Sequence, residues 1–248
     1  MTEKYIEWIG TGSGLNPVLG NTSFMIKGAE RTLLVDCGAT VPLELIRSGE
    51  LAKITDVVIT HLHADHIGGL EGLGFTNYFA LKRRGDDRPN LHLGSDEMAH
   101  NLWEHSLNGG MGHSTDSEGN YKQATLDRYF KVHAGREIQI DGLPKLLLFE
   151  TPHIPNLENY GVIIGDNIFY SGDSTRLPDT NYPLIFQDCQ FFEGKESVHI
   201  PYDKLKRELS PEEKAKIYLV HLGGGYDKKD PKADGFAGFV MPRDKFKI

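Results

Sequence analysis

The stretch THLHADHIGG, Thr60 to Gly69, places three histidines and an aspartate within six consecutive positions, directly after the β-branched run ITDVVIT. That run predicts a buried strand, Ile54 to Thr60, which stops where the polar cluster begins. Chemistry is therefore held at the mouth of a sheet. In an extended turn His61 and His63 point the same way, whereas Asp65 and His66 begin the next helix and address a second point nearby. Two neighbouring metals fit this arrangement better than one. A pair needs more than four ligands, and the chain supplies others singly, each just past a strand: His153 in FETPH, Asp173 in FYSGDS and His221 in IYLVHLGGG. A lone histidine is usually a satisfied polar residue. In the company of the HxHxDH stretch these three become candidate ligands.

Further strand signals fall at Tyr5 to Ile9, Thr22 to Ile26, Thr32 to Val35, Lys145 to Glu150, Tyr160 to Ile164, Asn167 to Tyr170 and Ile217 to Val220. Helical patterns lie at about 42–51, 66–73, 94–104, 122–130 and 202–215. The repeated return from helix to strand predicts two sheets faced by helices in one α/β domain spanning residues 1–248. The least regular stretch, His105 to Tyr121, reads HSLNGGMGHSTDSEGNY, which predicts a long loop and makes it a candidate lid.

A formal charge of −8 argues against a protein that grips polymeric nucleic acid through its phosphates, because that mode rests on many Lys and Arg contacts. A small anion remains compatible, since two divalent ions reverse the local field. The start of the chain lacks the long apolar run of a signal peptide, and no stretch approaches membrane-spanning length, so a soluble, cytoplasmic protein is expected. Cys37 and Cys189 are the only cysteines and are expected to be ordinary reduced thiols.

The segments LLVDCG, THLHADH, TPH, YSGDS and VHLGG resemble, in order and over nearly the whole chain, the five motifs of the metallo-β-lactamase-fold hydrolases. The resemblance implies an αββα sandwich with the metals at one edge. It implies that His61, His63 and His153 bind one metal, that Asp65, His66 and His221 bind the other, and that Asp173 bridges them. Asp36 matches the supporting carboxylate of the first motif. Two metals roughly 3.5–4 Å apart suit displacement at phosphorus or at an acyl carbon, because they lower the pKa of a water and stabilise charge on the oxygens. Zinc is the first expectation for a site dominated by imidazole, and manganese also suits its carboxylates.

The opening IEWIGTGSGLNP and the form HLHADHIGGL are similar to the phosphodiesterase branch that includes ribonuclease Z. That branch carries a His-Glu-Ala-Thr motif before the last metal histidine. Here the matching place is FQDCQFF, with Gln187 where the histidine would stand, and a neutral amide cannot donate a proton as an imidazolium can. His199, in SVHIPYDKL, is the nearest remaining imidazole and the candidate for protonating the leaving oxygen; Asp65 is expected to orient the attacking water as well as to ligate. Only two short predicted strands separate His153 from Asp173, which leaves no room for the long arm usual in tRNA-processing enzymes. With GTGSGLNPVLGNTSF and GFVMPRDKF at its ends, the chain is most similar to the phage anti-Pycsar proteins. The resemblance implies a homodimer that hydrolyses 3′,5′-cyclic mononucleotides, notably cyclic CMP and cyclic UMP, and so removes the messenger of a bacterial antiviral defence. The alternatives are a ribonuclease Z-type endonuclease and a lactonase or thioesterase, which would use the same ligands. The glycines of GTGSG offer backbone N–H groups to a phosphate, although a turn between strands is the commoner use of such a run.

Overall fold

The computed structural model describes residues 4–116, 118–192 and 197–248. Along the chain, β1 (Tyr5–Gly10), β2 (Ser23–Lys27) and β3 (Thr32–Val35) form an antiparallel meander, and α1 (Val41–Arg47) leads to β4 (Asp56–Val58), parallel to β3. Helices α2 (Ala64–Ile67) and α3 (Leu70–Phe75) precede β5 (Asn90–Leu93). Next come α4 (Asp96–Leu102), α5 (Asn108–Met111), a hairpin of β6 (His113–Thr115) with β7 (Tyr121–Gln123), and β8 (Lys131–Ala134). A second sheet holds β9 (Glu137–Ile138), β10 (Leu146–Glu150), β11 (Tyr160–Ile164), β12 (Ile168–Tyr170), β13 (Leu184–Asp188), β14 (Ile217–Val220) and β15 (Gly238–Phe239). Helices α6 (Tyr202–Glu208) and α7 (Pro211–Lys214) link β13 to β14, and β16 (Lys245–Lys247) returns to pair with β1. The two seven-stranded sheets run in the orders β16-β1-β2-β3-β4-β5-β8 and β15-β14-β13-β12-β11-β10-β9.

What joins the sheets is aromatic. Trp8 of the first sheet lies 4.7 Å from Phe24, and against Tyr170 and Phe186 of the second at 6.0 and 5.1 Å between ring centres. All four rings are buried, and each such burial stabilises the sandwich by roughly 1.5–3 kcal/mol. Val41, Leu45, Leu70, Leu73, Met98 and Leu102 of the helices belong to the same core, while Tyr202, Leu205 and Leu209 join Ile185, Ile217 and Leu219 in a second cluster on the outer face of the other sheet. The result is an αββα sandwich. No helix among the described residues is long and apolar enough to cross a membrane.

Several expectations need correction. The helix expected at about 122–130 is absent: Tyr121–Gln123 is a strand, and only Leu126–Arg128 makes a helical turn. Ala124, Leu126, Tyr129 and Phe130 are all buried, so core packing of a tight turn imitates helical spacing. The helix expected at 202–215 is two, because Ser210 is extended before Pro211 and closes a capping box with Glu213. The long loop expected at His105 to Tyr121 is instead a helical extension followed by the hairpin. Leu107 and Met111 are buried, the Tyr129 hydroxyl donates to Met111 O at 2.9 Å, and the Asp116 carboxylate accepts from the amides of Glu118 and Asn120. Ser117 of this segment lies outside the described residues, as do residues 1–3 of the start of the chain.

Candidate metal centre

The residues that follow the C-terminal ends of β3, β4, β10, β12 and β14 meet at one edge of the sandwich. Two of them leave their strands by a left-handed turn: Asp36 has φ 60° and His221 φ 57°. Such a backbone costs about 1–3 kcal/mol in a non-glycine residue, and here it turns both side chains into the cluster. Gly172, at φ 57°, does the same for the chain entering Asp173; a Cβ there would stand 2.3 Å from Tyr160 O. His63 is the extended N-cap of α2, so the helix starts between the first pair of ligand candidates and the second.

Ligand atoms of the seven candidates fall into two groups that share Asp173. In the first, His61 Nε2 lies 3.0 Å from His63 Nδ1, which lies 3.2 Å from His153 Nε2. Asp173 Oδ2 is 3.7 Å from both Nε2 atoms. In the second, Asp65 Oδ2 is 3.3 Å from His221 Nε2 and 3.5 Å from His66 Nε2. Asp173 Oδ2 stands 3.6 and 3.4 Å from the same nitrogens. Ligands about 2.0–2.2 Å from a tetrahedral ion are separated by roughly 3.3–3.6 Å, so the edges of the second group match an ion at the centre, and those of the first, 3.0 to 3.7 Å, lie on either side of that range.

The chain's own hydrogen bonds support that fit. His66 Nε2 and Asp173 Oδ1 are buried without any hydrogen-bond partner, whereas the outward nitrogens are held. His66 Nδ1 donates to Asp36 Oδ2 at 2.8 Å, His153 Nδ1 donates to Val198 O at 2.7 Å, and His61 Nδ1 lies 3.1 Å from Thr60 Oγ1. In the neutral rings these bonds place the proton on the outward nitrogen and leave the inward one as an acceptor. Asp36 itself accepts from Thr60 N and Oγ1, so it both shapes the strand end and aims a ligand candidate. Burial, followed by the charge of His66, holds His61 well below the ordinary histidine range and so keeps it neutral. Burial opposes ionisation of Asp173, but His221 and His66 outweigh it and hold the carboxyl well below the usual range. A divalent cation would find a neutral imidazole and a carboxylate already in place.

His199 lies beside this cluster, with its Nδ1 2.8 Å from Asp188 Oδ2 and 3.9 Å from Asp173 Oδ2. Burial would lower its pKa; Asp188 overrides that and raises it. No local motif in the sequence marks Asp188 as part of the site. It ends β13, its other oxygen stands 3.3 Å from His221 Nδ1, and it accepts from the Ser174 amide at 2.9 Å. One buried carboxylate therefore orients a ligand candidate and the candidate proton donor together. Gln187 is buried and donates to Asp188 O, and it does not line the pocket. Cys37 and Cys189 are free and buried, with burial pushing both thiols up.

A pocket of about 420 Å³ opens over these groups, lined by His63, Asp65, His153, Asp173, His199 and His221 together with the loops around Gly14, Phe191 and Gly223. No described residue between 105 and 121 is among its walls. In the GTGSG run, the amides of Thr11, Gly12 and Ser13 donate to Leu19, Gly20 and Leu222. These bonds make the run chiefly a turn. Gly14 is set apart because a Cβ there would stand 3.0 Å from Asp65 Oδ2, so a larger residue would press on that ligand candidate.

Solved structures share this architecture. A metallo-β-lactamase-fold protein of Bacillus subtilis, YhfI, superposes with a TM-score of 0.75 at 18% identity, covering 99% of this chain and 100% of its own. The short form of human tRNase Z does so at 0.65 and 17% identity, covering 98% of each. Fold and site edge thus define a metallo-β-lactamase-fold protein. The family model for the anti-Pycsar protein Apyc1 matches residues 5–246. Proteins of that description from Bacillus phage 010DV004 and Paenibacillus harenae are 33% and 31% identical to this chain; the first match covers 94% of each chain, and the second 98% of this chain and 100% of its relative. The chain belongs to the anti-Pycsar Apyc1 family.

Proposed function

We propose that the chain is a dinuclear-metal phosphodiesterase that opens 3′,5′-cyclic mononucleotides, cyclic CMP and cyclic UMP among them, and so counters Pycsar signalling in the cytoplasm. The observation that carries the reading is the single carboxylate oxygen, Asp173 Oδ2, shared by two groups of ligand candidates at coordination spacing. The names of its relatives supply the biological setting. His61, His63 and His153 would hold one ion, Asp65, His66 and His221 the other, and Asp173 both; zinc suits the imidazoles, with manganese second. When bound, the ions lower the pKa of a water and stabilise charge on phosphate oxygens. The chain's residues do the rest. Asp65 orients the attacking water, and His199, held by Asp188, gives a proton to the ribose oxygen as its bond to phosphorus breaks. Both ester oxygens of a cyclic nucleotide belong to one ribose, so no grip on a polymer is needed.

Incubating metal-loaded protein with a panel of cyclic nucleotides, a precursor tRNA and a lactone, and separating the products, tests the reading. Nucleoside monophosphates from the cyclic panel are expected; cleavage of the tRNA or the lactone alone would replace the proposal with a ribonuclease Z-type or carbon-ester hydrolase.

The proposal includes a homodimer in which the β6–β7 hairpin covers the partner's pocket; no described residue of the hairpin lines the pocket of its own chain. Because Leu107 and Met111 are buried, the shortening that tests it is confined to residues 114–122. The shortened protein should show a raised KM, and mixing it with a His61→Ala variant should restore activity. An unchanged KM would remove the lid.

A further inference from the structure

Beside its histidines and carboxylates the pocket is lined by Cys189, Phe191 and Val198, and by two strongly exposed apolar residues. Leu15, on the β1–β2 loop, is 97% exposed, and Phe192, after β13, is 66% exposed. The neighbouring ring of Phe191 turns inward and packs against Tyr202 and Phe239, at 5.6 and 5.7 Å between centres. The pair thus divides its work: one ring anchors the segment in the core, and the other stands in solvent at the entrance.

The backbone beneath that exposed ring is fixed. Gln190, almost fully buried, donates through Nε2 to Phe192 O at 2.9 Å and to Ser197 Oγ, and Ser197 in turn donates to His199 O. The Gln190 main chain is itself clamped, donating to Ile200 O at 3.0 Å and accepting from the Tyr202 amide at 2.8 Å. One side chain therefore ties the position of Phe192 to that of His199. No ring among the described residues stacks on Phe192. An unpartnered aromatic face carried on a hydrogen-bonded main chain beside the ligand candidates is what a flat heterocycle attached to a phosphate can use, because stacking takes any base and needs no hydrogen-bond match.

We propose that Phe192 is the platform on which the base of a nucleotide stacks, with Gln190 as the positioning residue that holds this platform in register with His199. The inference rests on the nucleotide reading above and deepens it: sugar-phosphate is gripped by the ligand cluster, and base identity is read loosely at the mouth.

The test compares two probes on metal-loaded protein by calorimetry, cytidine 5′-monophosphate and ribose 5-phosphate. The wild type should bind the nucleotide more tightly. Phe192→Ala should weaken nucleotide binding by about 10-fold and leave ribose 5-phosphate unchanged. Phe192→Trp should restore the affinity, and its indole emission should be quenched by the nucleotide and not by the sugar phosphate. Equal affinity of the wild type for both probes, or a Phe192→Ala loss common to both, would overturn the platform while leaving a phosphate-binding centre intact. Failure of the wild type to bind either probe would remove the nucleotide reading and the platform with it.

Discussion

Strand β4 has a carboxylate–imidazole cluster at each end, and the two could hardly differ more. At its start Asp56 is buried and saturated: Oδ1 accepts from Arg31 at 2.9 Å, Asn90 at 2.7 Å and His92 at 3.2 Å, while Oδ2 accepts from Arg31 at 3.0 and 2.7 Å and from Thr55 at 2.7 Å. The second histidine there, His133, stacks on His92 at 5.1 Å. Past the other end, Asp173 Oδ1 and His66 Nε2 are buried with no donor or acceptor, and ring nitrogens face one another. Both clusters contain the residue types that bind metals. Only one leaves its lone pairs unmatched, and an unmatched buried acceptor costs roughly 1–3 kcal/mol unless something outside the protein satisfies it. Residue type alone does not distinguish a structural acid from a ligand; the hydrogen-bond account does.

The sharpest way to break this comparison is to remove the shared carboxylate. Asp173→Ala should lower metal content and hydrolysis together, activity falling to background, while circular dichroism stays that of the wild type. Metal content is read by plasma emission after gel filtration. Asp56→Ala should do the reverse, keeping metal content and activity per folded molecule while unfolding more easily by about 3–5 kcal/mol, as expected when the partners of a buried acid are stranded. If instead Asp56→Ala emptied the centre, or Asp173→Ala left it full, the distinction between the two ends would be lost.

A smaller effect belongs to His199, which lies with Asp188 in a further group that also takes in Asp173 and His221. If it protonates the leaving oxygen, His199→Ala should lower turnover by about 10²–10⁴-fold on a cyclic nucleotide, whose ribose alkoxide leaves poorly. A nitrophenyl phosphodiester, which leaves unaided, should lose far less. Equal losses on both substrates would make His199 a structural residue, akin to His92.

The difference between the two ends also explains what could be read from the chain. The ligand candidates were legible because their signal is local: HxHxDH spans one strand end and one helix start, and His153, Asp173 and His221 each follow a recognisable apolar run. Two sheets faced by helices were legible for the same reason. Asp188 was not, because its meaning lies in partners along the chain, His199 and His221, and because the strand that presents it, Leu184–Asp188, has only three apolar residues in a row to mark it. Asp56 was absorbed into the strand Ile54 to Thr60, and nothing nearby announces that Arg31, Asn90 and His92 converge on it. The hairpin of residues 113–123 was hidden by its own turn chemistry. Glycine, serine and asparagine mark a loop equally well whether the flanking residues pair or not.

The mildest perturbation sharpens the comparison without any substitution at the centre. Burial pushes the Asp56 carboxyl upward, but hydrogen bonds from His92, Thr55, Asn90 and Arg31 outweigh it and bring the pKa down to about 2 from 3.8. An acid depressed in the folded state stabilises the fold while it is ionised. The contribution is complete above the unfolded value near pH 4, declines as pH falls toward 2, and is gone below that. A shift of this size corresponds to about 2 kcal/mol. Urea unfolding of metal-free protein, followed from pH 5 to pH 2, should therefore show stability falling across this window. Asp56→Asn keeps the shape and the hydrogen bonds to one of the two oxygens but has no proton to gain, so its curve should be flatter by that amount while its stability at pH 5 is lower. If wild type and Asp56→Asn lost stability in parallel below pH 4, the acid sensitivity would lie elsewhere, and the saturated end of β4 would not be the ionic anchor that its hydrogen bonds describe.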